Sequence, residues 1–209
     1  MTTFKWHATT PLTVSGAQKF WEVRYEHDVT PWDRGSTSPA LAHWLDSGKL
    51  KPCRILVPGC GRGYEVIELA QRGFDVTALD ISPLAIEVVA HRLDEAGLAA
   101  SLIETDLFDW MPRTPLDAIY EQTCLCALLP EQWSAYAQRL AQWLRPNGEL
   151  FALFMQTGKA GGPPYHCDLD AMAELFATDA WIWPAGKPIK TPHSSGFFEL
   201  ATILKRKKP

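Results

Sequence analysis

Three glycines at alternate positions, Gly59-x-Gly61-x-Gly63, and an aspartate 21 residues after the first of them, Asp80, are the residues here best placed to do chemistry together. The glycines follow the short apolar run Arg54-Ile55-Leu56-Val57-Pro58 and precede residues with helical spacing. Without a Cβ, each lets the backbone turn sharply and approach a ligand to hydrogen-bonding distance. A carboxylate at the end of the next strand can accept two hydrogen bonds from ribose hydroxyls. The pair therefore points to an adenosine-containing cofactor, held beyond the carboxyl ends of parallel strands.

Spacing then narrows the cofactor. The dinucleotide fingerprint G-x-G-x-x-G places its third glycine at position 64, which is Tyr64, and this weakens a nicotinamide-dependent oxidoreductase reading. The observed G-x-G-x-G spacing matches the glycine loop of class I methyltransferases, which receives the methionine part of S-adenosylmethionine (SAM). No G-x-x-x-x-G-K-[S/T] phosphate loop is present. A strand-to-helix turn with incidental glycines is the bland alternative, but it does not account for strand, helix and acid falling at the required places. Further along, Asp106 in Thr105-Asp106-Leu107-Phe108 can accept from the adenine amino group while Leu107 lines the base; a simple turn is the competing reading. Gln122, in Glu121-Gln122-Thr123, faces the cofactor's methionine end, and Cys60 and Ile81 are counted with the cofactor site.

The elements that must position these residues alternate from residue 53 onward. Strands are expected at 54–57, 74–79, 102–104, 116–120 and 149–155, with two late strands at about 180–184 and 197–204. Between them, Ser82-Pro83 and Pro130 open helices, Gly73 and Gly97 close helices, and Arg145-Pro146-Asn147-Gly148 reads as a turn. Repeated βα units imply an α/β fold with a doubly wound, mostly parallel, seven-stranded sheet, Rossmann-like as in class I methyltransferases. The whole of 1–209 reads as one domain: an N-terminal arm and helical lid over 1–48, and the α/β core over 49–209. Residues 1–14 are expected to be an extended arm, and Lys205, Arg206, Lys207 and Lys208 a solvated terminus.

Bulk properties exclude other classes. A net charge of −4 gives no phosphate-coating surface, so no nucleic-acid partner is expected. No apolar run approaches the roughly 18 residues that span a bilayer, and MTTFKWH is not a signal peptide. Five cysteines, an odd count without zinc-finger spacing, argue for a reducing compartment and against a disulfide framework or a metal site. A monomeric cytoplasmic protein is the expectation.

Several segments together carry a family resemblance. Val57-Pro58-Gly59-Cys60-Gly61-Arg62-Gly63-Tyr64-Glu65-Val66, Ala78-Leu79-Asp80-Ile81-Ser82, Thr30-Pro31-Trp32-Asp33-Arg34-Gly35 and Gly161-Gly162-Pro163-Pro164-Tyr165 resemble the thiopurine S-methyltransferase family, nearest its bacterial and plant thiol, thiocyanate or halide branch. The resemblance covers roughly residues 18 to 205. It implies that Trp21 and the loop to Trp32 close over SAM, with Trp32 also bordering the acceptor. It further implies that Gly59 meets the methionine moiety, Asp80 the ribose, Asp106 and Leu107 the adenine, and Gln122 the cofactor's carboxylate end. The mammalian branch carries Asp-Arg-Gly where this chain has Glu121-Gln122-Thr123, which removes a guanidinium and counts against thiopurine acids as substrates.

Methyl transfer from a sulfonium is an in-line displacement, so positioning dominates. Aromatic faces attract the cationic sulfur, and Trp21, Tyr25 and Trp32 are candidate walls, core packing being the alternative. Tyr165 is placed to line the acceptor pocket. A small soft nucleophile, first of all a thiol, fits this chemistry; halide, thiocyanate, selenium, tellurium, oxygen or nitrogen acceptors, or a silent SAM-binding protein, are the alternatives. A thiolate needs no strong protein base, so no side chain is assigned as acid or base. His166 and His193 are read as satisfied or exposed, and Cys124-x-Cys126 as buried small hydrophobes.

Overall fold

The computed structural model describes residues 14–208. Local signals in the chain set its elements. Ser38 and Ser82 each precede a proline, and each hydroxyl accepts a first-turn N–H, from Ala40 at 3.3 Å and Ala85 at 3.3 Å. These caps open α2 (Pro39–Asp46) and α4 (Pro83–Ala96). In chain order the remaining elements are α1 (Val14–Glu26), β1 (Arg54–Pro58), α3 (Tyr64–Gln71), β2 (Asp75–Asp80), β3 (Ser101–Glu104), β4 (Leu116–Gln122), α5 (Trp133–Trp143), β5 (Leu144–Gln156), α6 (Leu169–Leu175), β6 (Trp181–Ile182), β7 (Ile189–Pro192) and β8 (Phe198–Arg206).

The strands lie in the order β3-β2-β1-β4-β5-β8-β6, the first five parallel and β8 antiparallel to β5. The order reverses between β1 and β4, which opens a crevice at their carboxyl ends. Strand pleating sends alternate side chains to two cores. Ile55, Val57, Ala118 and Tyr120 join Trp44, Val66, Leu69 and Val89 on one face. Leu56 and Ile119 join Tyr136, Leu140 and Trp143 on the other. Trp44 is buried edge-on against Phe151, ring centroids 5.1 Å apart, so α2 seals the first core.

The expected doubly wound, mostly parallel α/β fold is therefore present, with three differences at its margins. The sheet has eight strands rather than seven: β7 pairs with β8 from Ile189↔Ala201 to Pro192↔Phe198, while β6 pairs further along β8 at Trp181↔Arg206. Two short pieces thus share the edge of β8 that β5 leaves open. Short edge strands carrying Lys190 and Pro192 lack the alternation that betrays a strand, and such residues blunt an edge against pairing. The turn expected at 145–148 is instead part of β5, as a bulge around Asn147 (φ 63°), where Leu116↔Leu144 is followed by Ala118↔Glu149. Lys205 and Arg206 belong to β8 and pair with β5 or β6, so of the four basic residues only Lys207 and Lys208 lie past the strand. The extended arm expected over residues 1–14 lies outside the described residues except for Val14, which begins α1.

Gly63, the residue before α3, has φ 74°, and a Cβ there would come within 2.6 Å of Val89 Cγ2 on α4. Left-handed strain of about 1–2 kcal/mol and overpacking of about 1–3 kcal/mol would therefore add. Gly63→Ala is expected to lower the unfolding free energy by about 2–5 kcal/mol in urea titration, as the sum of those two costs; an unchanged midpoint would show that α3 and α4 are not packed this closely.

Candidate cofactor and acceptor site

The glycine loop leaves β1 with all three glycines left-handed, at φ 59°, 52° and 74° for Gly59, Gly61 and Gly63. Its backbone is tied down on both sides. Cys60 N donates to Leu79 O at 3.1 Å, and Gly61 N donates to Asp80 Oδ2 at 2.9 Å. Asp80 Oδ1 accepts from Ser82 N at 3.0 Å, so one carboxylate at the end of β2 shapes both the loop and the start of α4. Burial pushes the Asp80 carboxyl up, and the N–H groups of Ser82, Gly61 and Ile81 pull it back. Ser82 also donates its hydroxyl to Glu22 Oε2 at 2.5 Å, which fastens α1 to the same corner.

Above the loop stands an aromatic wall. Trp32 meets Trp21 edge to face at 5.3 Å and Tyr25 at 6.0 Å. The Tyr25 hydroxyl lies 3.2 Å from where a Cβ on Gly61 would sit, so only glycine admits the wall this close. Burial, and then the nearby Asp80 carboxyl, drives the Tyr25 phenol far up, which keeps it neutral. Arg62 braces the loop to the wall by ion pairs with Asp33 (2.9 Å) and Asp28.

Loop, wall and strand ends enclose a cavity of about 430 Å³, within the range of small-molecule sites. Every residue expected at the site lines it: Trp21, Trp32, Gly59, Cys60, Gly61, Asp80, Ile81, Asp106, Leu107, Gln122 and Tyr165. Asp106 uses Oδ1 to accept from Phe108 N at 2.8 Å, the turn reading, and among the described residues Oδ2 has no partner. Gln122 accepts through Oε1 from the Tyr120 hydroxyl (2.8 Å) and donates through Nε2 to Glu199 Oε2 (3.1 Å). That network fixes the amide orientation and leaves its second N–H for a ligand. Tyr165 hangs from Cys126 O through its backbone N–H at 2.8 Å and packs edge-on to Trp133. A Cβ on Gly162 would lie 2.6 Å from the Tyr165 ring, which accounts for the second glycine of the Gly-Gly-Pro-Pro-Tyr segment; its Gly162-Pro163 and Pro163-Pro164 bonds are cis.

Three participants are absent from the sequence-level list. Arg34 lines the cavity, donating to Glu199 Oε2 and Pro192 O at 2.7 Å each. Glu199 is fully buried behind it, and His193 lines the cavity beside them. No local signal marks them, because β7 and β8 bring Glu199 165 positions in sequence from Arg34. His193 Nδ1 accepts from Ser195 N at 3.2 Å and meets its hydroxyl at 2.7 Å; burial and the Arg34 charge push it down to about 4, so it is neutral near pH 7. His166 Nδ1 accepts from Thr157 N and Gly158 N at 3.1 and 3.3 Å, bracing its loop. Cys124 and Cys126 are buried.

Comparison with known proteins decides the family. The family model for thiopurine S-methyltransferase matches residues 16–185. The chain belongs to that family. It is 39% identical over 159 residues to Probable thiol methyltransferase 2 of Arabidopsis thaliana, covering 75% of this chain and 70% of that one. Thiocyanate methyltransferase 1 of the same plant is 35% identical over the same shares. A thiopurine S-methyltransferase from Pseudomonas fluorescens is 29% identical, covering 76% of this chain and 81% of that one. Among solved structures, an N-methyltransferase of Bradyrhizobium japonicum in complex with S-adenosylhomocysteine superposes with a TM-score of 0.74 at 17% identity, over 92% and 99% of the two chains, which shows the shared fold. This family member is thus a SAM-dependent methyltransferase that S-methylates a small nucleophile.

The thiols supply a check on this geometry. Burial, and then nearby negative charge, pushes Cys60, Cys124 and Cys126 well up and leaves little thiolate. Iodoacetamide at pH 7.5 is expected to leave these three unmodified in the folded chain and to label them in urea, read by mass spectrometry. Rapid native labelling of Cys60 would mean that the glycine loop opens readily.

Proposed function

We propose that this chain methylates the sulfur of a small thiol that carries no carboxylate. One observation supports a thiol without a carboxylate above thiopurine acids. The two guanidinium groups lining the cavity are both spoken for, Arg34 by Glu199 and Arg62 by Asp33 and Asp28. The other acidic or basic side chains along the lining, apart from the neutral His193, are the carboxyls of Asp33, Glu65, Asp80 and Asp106. Such a cavity suits a sulfonium and an uncharged, apolar acceptor body, and offers an anionic substituent no free cation.

The residues present fit SAM. Gly59, Cys60 and Gly61 would take the methionine moiety, with the remaining Gln122 N–H for its carboxylate. Asp80 beside Ile81 would hold the ribose, and Asp106 Oδ2 with Leu107 the adenine. Trp21, Tyr25 and Trp32 would face the sulfonium, where each ring is worth about 0.5–2 kcal/mol. Tyr165 and Trp32 would border the acceptor. Bound SAM supplies an activated methyl group on a cationic sulfur. The protein's part is to hold the acceptor sulfur in line and keep water out, and orientation of this kind contributes about 7–11 kcal/mol. The acceptor proton leaves to solvent before transfer, so no side chain acts as base. The chain would work as a monomer in the reducing cytoplasm on a small-molecule acceptor, without a nucleic-acid or membrane partner. The five free cysteines accord with a reducing compartment.

Two outcomes test these assignments. Asp80→Ala removes the acceptor that holds Gly61 and Ser82, and should weaken SAM binding by about 1–3 kcal/mol in calorimetry; unchanged affinity would refute the ribose assignment. In a matched series, benzenethiol should be methylated with kcat/KM at least ten-fold above its 4-carboxy derivative and above thiocyanate. Equal or better turnover of the carboxylated thiol would overturn the acceptor class.

A further inference from the structure

Glu199 occupies an unusual place for a carboxylate. It is fully buried on β8, yet one oxygen, Oε2, accepts from two parts of the cavity at once. Arg34 Nη2 reaches it at 2.7 Å from the loop that carries Trp32, and Gln122 Nε2 reaches it at 3.1 Å from the end of β4. The other Arg34 nitrogen, Nη1, donates to Pro192 O at 2.7 Å, so β7 steadies the same guanidinium. Gln122 is held from its far side by the Tyr120 hydroxyl. Glu199 Oε1 and Arg34 Nε are buried with no partner among the described residues, so two charged groups are held here with incomplete hydrogen bonding. Breaking such a pair from one side leaves an uncompensated charge, which makes the contact a two-position device rather than a soft one.

We propose that Glu199 is a positioning residue that fastens the aromatic wall to the cavity floor, setting closure of the Trp32 loop and the orientation of the free Gln122 N–H together. The inference rests on the reading that SAM occupies the cavity. Through Arg34, a wall that moves away releases Glu199, and Glu199 in turn releases Gln122. Cofactor capture and the alignment of its carboxylate end therefore occur as one event.

The electrostatics give the device a pH signature. Around Glu199 stand Arg34 from the loop, Glu65 of α3, Tyr120 and Glu121 of β4, and the thiols Cys126 and Cys167; beyond β7 the Arg34 charge also bears on His193 and helps keep it neutral. Burial pushes the Glu199 carboxyl up to about 7, against the pull of Arg34. Below that pH it takes a proton and Arg34 loses its counter-charge. The fastening is present at pH 8 and weakens toward pH 6.

The test uses the full chain, with SAM and benzenethiol as substrates. In Glu199→Gln and in Arg34→Gln, KM for SAM at pH 8 should rise at least ten-fold while kcat changes less than three-fold. The wild-type KM for SAM should climb as pH falls from 8 to 6, whereas Glu199→Gln should be flat across that range. Arg34→Lys should recover part of the loss, and SAM should protect α1 and the Trp32 loop from proteolysis in wild type more than in the variants. Should Glu199→Gln fail to fold, Arg34→Gln still decides, because Glu199 can take a proton when its partner is gone. Folded variants with wild-type KM and pH dependence would overturn the proposal. If wild type itself bound no SAM in calorimetry, the SAM reading would fail instead.

Discussion

A single buried carboxylate organises this protein. Asp80 ends β2 and accepts from Gly61 on one side and Ser82 on the other, so the glycine loop and the first turn of α4 are measured from the same two oxygens. The arrangement resists its own chemistry, since burial disfavours the charge; backbone N–H groups offset that cost because they are already oriented by loop and helix. Ser82 extends the order outward, since its hydroxyl both caps α4 and holds Glu22 of α1. The aromatic wall therefore stands where it does because a strand ends in an acid.

Charge placement separates this cavity from one built for anions. The chain lacks the guanidinium that the mammalian branch carries at position 122, and the structure brings another, Arg34, to the same corner from a loop nearly ninety positions earlier. Its charge is cancelled where it arrives, by Glu199, so its work is mechanical and electrostatic within the protein rather than toward a ligand. Arg62 is used likewise between the loop and Asp33. A methyl donor with a positive sulfur gains from a cavity whose acids outnumber its available cations.

Much of this was legible in the residues. Glycines at 59, 61 and 63 with Asp80 mark the turn at the crevice because a left-handed loop and a strand-ending acid are local requirements, written within two dozen positions. Ser82-Pro83 and Gly97 bracket α4 for the same local reason. The Arg34–Glu199 pair and the place of His193 beside it were illegible, since both depend on the antiparallel return of β7 and β8 that brings distant chain to the crevice. β7 is four residues long and contains a proline, so its pattern says nothing of a strand. Asn147 likewise reads as a turn, and only its register against β4 reveals a bulge inside a strand. Where a residue's placement is set by its own neighbours in sequence, it could be read there; where it is set by sheet order, it could not.

Thr123 stores strain at this corner. A β-branched residue sits there at φ 57°, beside Gln122 and on the cavity lining, in a region such residues rarely enter. Its hydroxyl returns to Gln122 O at 2.7 Å, and the conformation carries strain on the order of 1–3 kcal/mol. Glycine, which the mammalian branch has at this position, would relieve it and loosen the turn that aims Gln122. The strain at Thr123 and the fixed aim of Gln122 are therefore two sides of one backbone conformation, held in place by the hydroxyl's return to its own neighbour.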